Sequence, residues 1–276
     1  MKASVAGVSE RRLCRVLAIA RTWARRASGS RPRRPVINTR LAARVAELIQ
    51  AYPTFGYRRL WALLRFREGQ RLTPKTVYRL CARQRWFVHQ RATTPRPRVH
   101  GRRSRTARSN ERWATDITHV ACGRDGWAHL TAVIDCHDRE IIGYEFALRG
   151  RAKEAERALE EACLARFGTL RPPGPTPVIR SDNGLVFQSR RFRAACRDYR
   201  LPQEFITPYT PEQNGMIERF FRSLKEECVG QHVFHDFAQA RQAVQAWIRW
   251  YNDDRPHQAL GYRSPREFRA GEVAAA

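Results

Sequence analysis

Two carboxylates in the second half of the chain stand where they could be aimed at one another. Asp182 follows the apolar run Pro177-Val178-Ile179 and precedes Asn183-Gly184; the run predicts a buried strand and the Asn-Gly pair a turn, which leaves the carboxylate at the strand's C-terminal end. Around Glu218, the apolar residues Ile217, Phe220, Phe221 and Leu224 repeat at i, i+3, i+4 and i+7, the stripe of a helix with one face on a core. Glu218, Arg222 and Lys225 form the neighbouring stripe. A carboxylate on a helix held by its apolar face can be directed at a second one on a sheet edge. Such a pair suggests a divalent metal, because hard cations such as Mg²⁺ take oxygen ligands and keep waters and phosphate oxygens for the rest of their shell. A third acid, Asp116, lies inside the alternating, β-rich stretch 113–120. Any one of these acids taken alone is more often a turn former, a cap or a surface charge.

The elements that must position these acids can be read in order from residue 113. Strands are expected over 113–120, 129–134 and 141–146, joined by short turns, which implies an antiparallel meander. An amphipathic helix over 153–167 follows, with Ala155, Leu159, Ala162 and Cys163 inward and Gly168 as its stop. The strand before Asp182 comes next, then a helix capped by Ser189, a strand at 204–206, the Glu218 helix, and a long final helix opened by Asp236. The order βββαβαβα predicts an α/β sheet of mixed direction with helices on its faces. In that order the first and fourth strands are expected to be neighbours at the sheet centre, which would bring Asp116 and Asp182 together.

Before residue 113 the chain reads differently. A basic helix over 9–26 with Ser9 as its cap is followed by a Gly/Ser/Pro/Arg linker at 28–35. Three helices are then expected, from Thr39 to about Tyr52, from Tyr57 to Arg67, and from the Thr73-Pro74 signature to about Arg85. The outer side of the third carries Lys75, Arg79 and Arg83 at i, i+4 and i+8. That is what a helix-turn-helix reader of the major groove needs, and equally what a small bundle with a solvated basic face shows. Residues 91–112, rich in Pro, Arg, Ser and Thr, read as a linker able to track phosphates without regard to sequence.

Composition supports a polyanionic partner. The 276 residues carry a formal net charge of +26, and 29 of the 52 Lys and Arg but only 4 of the 26 Asp and Glu fall before residue 113. Nucleic acid fits that asymmetry better than a membrane surface, since no apolar run approaches the roughly 18 residues of a spanning helix. Seven cysteines without a C-x-x-C support neither a disulfide framework nor a zinc ribbon; Cys81, Cys163 and Cys196 fall on apolar stripes. There is no GxxxxGK loop, which disfavours a P-loop ATPase. The N-terminal apolar stretch is interrupted by Arg15, so no signal peptide is read and a cytoplasmic location is expected.

Several dispersed motifs, in order, resemble the OrfB-type transposases of two-reading-frame bacterial insertion sequences, members of the retroviral-integrase superfamily. They are Trp113-Ala114-Thr115-Asp116-Ile117-Thr118, Val133-Ile134-Asp135, Ser181-Asp182-Asn183-Gly184, and Tyr209-Thr210-Pro211-Glu212-Gln213-Asn214-Gly215-Met216-Ile217-Glu218, with Lys225 seven residues on. The terminal set is Tyr251-Asn252, Arg255-Pro256-His257, Leu260-Gly261-Tyr262 and Pro265. Between Asp182 and Glu218 lie 35 residues. The likeness covers 113–268 closely and 39–86 more loosely. It implies an RNase-H-like mixed five-stranded sheet at 113–270, a helix-turn-helix domain at 36–90, the linker at 91–112, a basic N-terminal segment at 1–35 and a tail at 271–276. It further implies that Asp116, Asp182 and Glu218 bind the metal, two ions of Mg²⁺ or Mn²⁺, and that Lys225 contacts transposon-end DNA, with Arg222 on the same stripe.

The partners so implied are element ends and target DNA, further copies of the chain, and the product of an upstream overlapping frame; the bound protein would associate with the nucleoid. The histidines lack the zinc-binding arrangement of retroviral integrases, and the stretch after Ile141 follows the family's strand pattern less closely. Two other readings remain at this point: a DNA-binding remnant of a decayed or repurposed element, and an RNase-H-type nuclease, against which the basic helix-turn-helix and the 35-residue spacing argue.

Overall fold

The computed structural model describes residues 9–22, 38–88, 106–207 and 210–274. The 28–35 linker, most of the 91–112 linker, the end of the expected first helix and Tyr209 lie outside the described residues. The chain divides into two compact units, Met1–Ala46 and Glu47–Ala276.

In the first unit, α1 (Glu10–Val16) begins on Ser9, whose hydroxyl accepts the Arg12 N–H at 3.3 Å. The single helix expected over 9–26 is broken after Val16, where Ala18 takes a left-handed backbone (φ 51°) and the Ile19 N–H turns back to the Cys14 carbonyl. Helix α2 (Thr39–Ala51), which runs across the division at Ala46, starts on Asn38, which accepts the Leu41 N–H at 3.0 Å, and ends just before Pro53.

The second unit continues with α3 (Tyr57–Ala62), which runs on through a π-helical turn at Leu63–Arg67, and α4 (Pro74–Gln84). Proline at the first turn suits α4 because its missing N–H would have no partner there. Arg85 in a left-handed conformation closes the helix. Leu60, Leu64, Val77, Leu80 and Cys81 are buried between these helices, and the Trp61 indole N–H donates to the Leu72 carbonyl at 2.8 Å.

Five strands follow in the spatial order β3-β2-β1-β4-β5: β1 (Arg112–Ala121), β2 (Trp127–Asp135), β3 (Ile141–Ala147), β4 (Val178–Ser181) and β5 (Gln203–Phe205). β1–β2 and β2–β3 are antiparallel, and β1–β4 and β4–β5 are parallel. The meander and the pairing of first and fourth strands are as the sequence predicts. Strand alternation sends Trp113, Val133 and Ile179 to one face, under α5 (Ala152–Phe167), the short α6 (Leu185–Gln188) and α7 (Arg190–Asp198). Ala114, Ala132 and Ile134 go to the other face, under α8 (Gly215–Glu227) and α9 (Phe237–Asp253). Among the described residues, two α-helices were not expected from the sequence: α6, too short to show a period, and α10 (Pro265–Val273), which opens on a capping box between Ser264 and Glu267.

Gly143 on β3 permits the close packing of α5, since a Cβ there would meet the Ala158 carbonyl oxygen at 2.2 Å. Further along α5, the fully buried side chain of Arg166 reaches Asp138 at 2.9 Å and Glu140 at 3.0 Å in the β2–β3 turn. Asp135 accepts the backbone N–H groups of Asn110 (2.7 Å) and His137 (2.8 Å). These two aspartates are therefore strand-end and turn residues. All seven cysteines are buried and unpaired. Among the described residues no helix is long and apolar enough to cross a membrane.

Candidate active site

Asp116 lies on β1 in phase with Ala114, so its side chain leaves the sheet on the face covered by α8. Its cross-strand neighbour is Ala132, whose methyl group leaves room beside the carboxylate. The β1–β4 ladder pairs Trp113 with Ile179 and Ala114 with Arg180. The same register continued two residues further brings Asp116 level with Asp182, just past the end of β4. Asp182 accepts the Gly184 N–H at 3.0 Å, and a Cβ on Gly184 would stand 2.9 Å from the same carboxylate oxygen. The Asn-Gly pair thus does more than turn the chain: glycine lets the backbone close on the acid, while Asn183 ties the loop to the Ile206 carbonyl at 3.0 Å.

Helix α8 is held to this corner at its first turn. Arg180, in phase with Asp182 on β4, donates to the Gln213 carbonyl at 2.9 Å and pairs with Glu204 at 3.0 Å. Asn214, 2 % exposed, donates to the Thr115 carbonyl next to Asp116 at 3.4 Å. Further along, Ile217, Phe220 and Leu224 are at most 1 % exposed; burial of each contributes roughly 1.5–3 kcal/mol, enough to hold the helix at one rotation. Glu218, Arg222 and Lys225 consequently point to solvent along the adjacent stripe. Asn214 belongs to a motif read from the sequence, whereas Arg180 was missed there. The available signal was a charged side chain within an apolar strand, two residues before Asp182.

The electrostatics join the four groups. The Asp116 carboxyl is pushed up from 3.8 to about 7: burial is the main cause, the Ile117 N–H (2.7 Å) opposes it, the charges of Asp182 and Glu218 raise it further, and Lys225 lowers it. Charges from the end of β4 and from α8 thus bear on the one carboxyl that β1 presents. Their side chains do not close into a cage: among the described residues no group of three His, Cys, Asp or Glu is arranged to hold an ion as it stands. The donor set itself is three carboxylates with one lysine, an excess of negative charge and oxygen ligands only, which suits a hard divalent cation. Glu218, being exposed, has room to swing inward.

The other basic residues singled out by spacing occupy a different element. Lys75, Arg79 and Arg83 are all exposed along α4, opposite its buried Val77, Leu80 and Cys81. Of the histidines, His257 is buried and held well below its ordinary pKa by burial and by the neighbouring Arg255, a neutral structural group. His119 is exposed and meets the His129 ring edge-on at 4.6 Å.

Family models match most of the chain. Residues 106–211 and 199–265 match the integrase core domain family, and residues 37–92 match the HTH-like domain family. The chain is 33 % identical over 265 residues to the insertion element IS476 uncharacterized 39.2 kDa protein of Xanthomonas euvesicatoria, covering 95 % of this chain and 73 % of that one. It is 30 % identical over 238 residues to the transposase InsD for insertion element IS2A/D/F/H/I/K of Escherichia coli, covering 84 % of this chain and 78 % of that protein. Among solved structures, the HTLV-2 integrase catalytic core domain in complex with magnesium aligns at 17 % identity and a TM-score of 0.45, over 59 % of this chain and 99 % of that one. Matches to both domain families and relatives of this identity over most of their length lead to one assignment: the chain belongs to the insertion-sequence transposases that join an HTH-like domain to an integrase core.

Proposed function

We propose that this transposase cuts DNA strands at the ends of its element and joins the freed 3′-hydroxyl to a target phosphodiester, with Asp116, Asp182 and Glu218 as ligands of divalent cations. What supports the proposal is the register of the sheet: the β1–β4 ladder, continued two residues, sets Asp116 level with Asp182, on the face covered by the helix that carries Glu218. When bound, Mg²⁺ or Mn²⁺, as a pair of ions, would stabilise charge on the entering and leaving oxygens and acidify the attacking water or hydroxyl. The protein's own part is to present the ligands. Burial and the charges of Asp182 and Glu218 raise the Asp116 carboxyl to about 7, and a bound cation would favour its ionised form. Asp182 is held for the same task by the Gly184 N–H, and Glu218 closes the set from α8. No covalent protein intermediate is needed.

Lys225, one helical face along from Glu218, and Arg222 between them would hold the element-end phosphates, while Lys75, Arg79 and Arg83 face a major groove from α4. The division of labour follows the sequence: 36–90 recognises DNA, 91–112 tracks its backbone and 113–270 does the chemistry. Joining two ends to one target calls for more than one copy of the chain on DNA, within the nucleoid, and an upstream-frame product would add to end recognition. The test is Asp116→Asn and Glu218→Gln, assayed for Mg²⁺- or Mn²⁺-dependent cleavage and strand transfer alongside DNA affinity. Loss of several kcal/mol of charge stabilisation predicts a rate lower by about 1,000-fold or more, with affinity within about twofold of the unaltered protein. Full activity in either variant would refute the assignment.

A further inference from the structure

The C-terminal end of α8 is gripped by two arginines from distant parts of the chain. Glu227, the last residue of the helix, has a side chain only 5 % exposed. One of its oxygens accepts from Arg255 Nη2 at 2.6 Å and from Arg59 Nη1 at 2.8 Å, and the other accepts from Arg255 Nε at 2.7 Å. Arg255 is itself 4 % exposed in its side chain. Its guanidinium also donates to Ser223 Oγ, one turn back on α8, at 3.3 Å, and to Nε2 of the neutral His257 at 3.4 Å, and it lies over the Tyr251 ring. Arg59 comes from α3, within the HTH-like region, where it lies over Phe55 at 5.0 Å. Phe55 and Tyr52 in turn pack on Trp250 of α9, with ring centroids 6.0 and 5.7 Å away.

A buried ion cluster of this kind adds little net stability, because desolvation of the charges offsets most of their attraction; its effect is to specify one geometry. The planar fork of Arg255 fixes Glu227 in two directions at once, which a lysine could not do. Glu227 lies two residues from Lys225 and nine from Glu218 on the same helix, so what fixes one end fixes the approach of both. We propose that Glu227 is a positioning residue: held by Arg255 and Arg59, it makes the placement of Glu218 and Lys225 depend on the docking of α3 against the core. The HTH-like region would then act on the chemistry as well as on DNA recognition. This rests on the reading of Glu218 as a metal ligand.

The test uses the full chain carrying Glu227→Gln, Arg59→Gln, both together, or Arg59→Lys, with Asp116→Asn as a control. Arg59 is 34 % exposed in its side chain, so its replacement leaves the apolar core intact even where Glu227→Gln perturbs folding. Two readouts are taken: amide hydrogen exchange over residues 217–227 in the metal-free protein, and kcat and KM for end joining across a range of Mn²⁺ concentration. In Arg59→Gln, exchange over α8 should quicken about tenfold at unchanged melting temperature. A misplacement of about 1 Å costs on the order of 100-fold in rate, so a partial loosening should lower kcat about tenfold with KM for DNA unchanged. The Mn²⁺ concentration for half activity should rise, and Arg59→Lys should recover part of both effects. Because Arg59 acts through Glu227, the double variant should be no worse than Glu227→Gln alone.

Unaltered exchange and kcat in Arg59→Gln would overturn the proposal. So would additive losses in the double variant, or a rise in KM alone, which would make Arg59 a DNA contact. If Asp116→Asn keeps full activity, the metal-site reading fails, while the exchange data still judge the clamp by themselves.

Discussion

Substitution of Asp116 by asparagine should make the metal-free protein more stable, and increasingly so as the pH rises. The Asp116 carboxyl is raised from 3.8 to about 7, first by burial and then by Asp182 and Glu218. Because the folded state keeps a proton that the unfolded chain releases, this group's contribution is fully present below pH 3.8 and is lost as the pH climbs through about 7. Linkage puts the loss between about pH 5 and about pH 8 at roughly 2–3 kcal/mol, an upper bound because the side chain is partly exposed and solvent screens the neighbouring charges. The asparagine amide does not titrate, so the variant escapes this loss. In urea unfolding followed by circular dichroism in EDTA, Asp116→Asn should therefore gain about 2 kcal/mol over the unaltered protein between the two pH values. Excess Mg²⁺ should reverse the ranking, since a ligand at about 100 times its Kd stabilises the state that binds it by roughly 2.7 kcal/mol. A difference between the two proteins that does not change with pH would refute the reasoning, because it would mean that the acids do not share a half-buried corner.

Two further outcomes follow from other parts of the molecule. Arg166→Met leaves Asp138 and Glu140 facing one another without the buried guanidinium that lies 2.9 and 3.0 Å from them, and should cost about 3–5 kcal/mol in the same unfolding experiment. Lys225→Ala should weaken binding to element-end DNA and reduce the slope of log affinity against log salt by about 1, measured by fluorescence anisotropy over a salt series, with the metal-free melting temperature unchanged.

The local signals in the sequence were sufficient for most of the elements. Ile217, Phe220, Phe221 and Leu224 define the buried face of α8 because a 3.6-residue period repeats within a single helix. Pro74 at the first turn and Asp236, which accepts the Gln239 N–H, mark helix starts because both effects involve neighbouring residues only. The same logic fails where the deciding contact is remote. The break after Val16 depends on the left-handed Ala18, a residue with no preference for that conformation.

The acids themselves were recognisable in type and spacing, and the strand order followed from short connections. The depth of Asp116 and its raised pKa came only with the folded sheet, where the β1–β4 register sets it level with Asp182 on the face that α8 covers. Nor does the sequence show that Glu227 meets Arg59, 168 residues away, or that Arg180 carries the turn before α8. Side-chain periodicity reports which face of an element is buried; it carries no information about which other element covers that face. For this transposase the sequence by itself determined the family and most of the elements with their order, and it offered the acids as candidates. The tertiary structure decided which charges share a corner and which arginines hold the helix that brings them there.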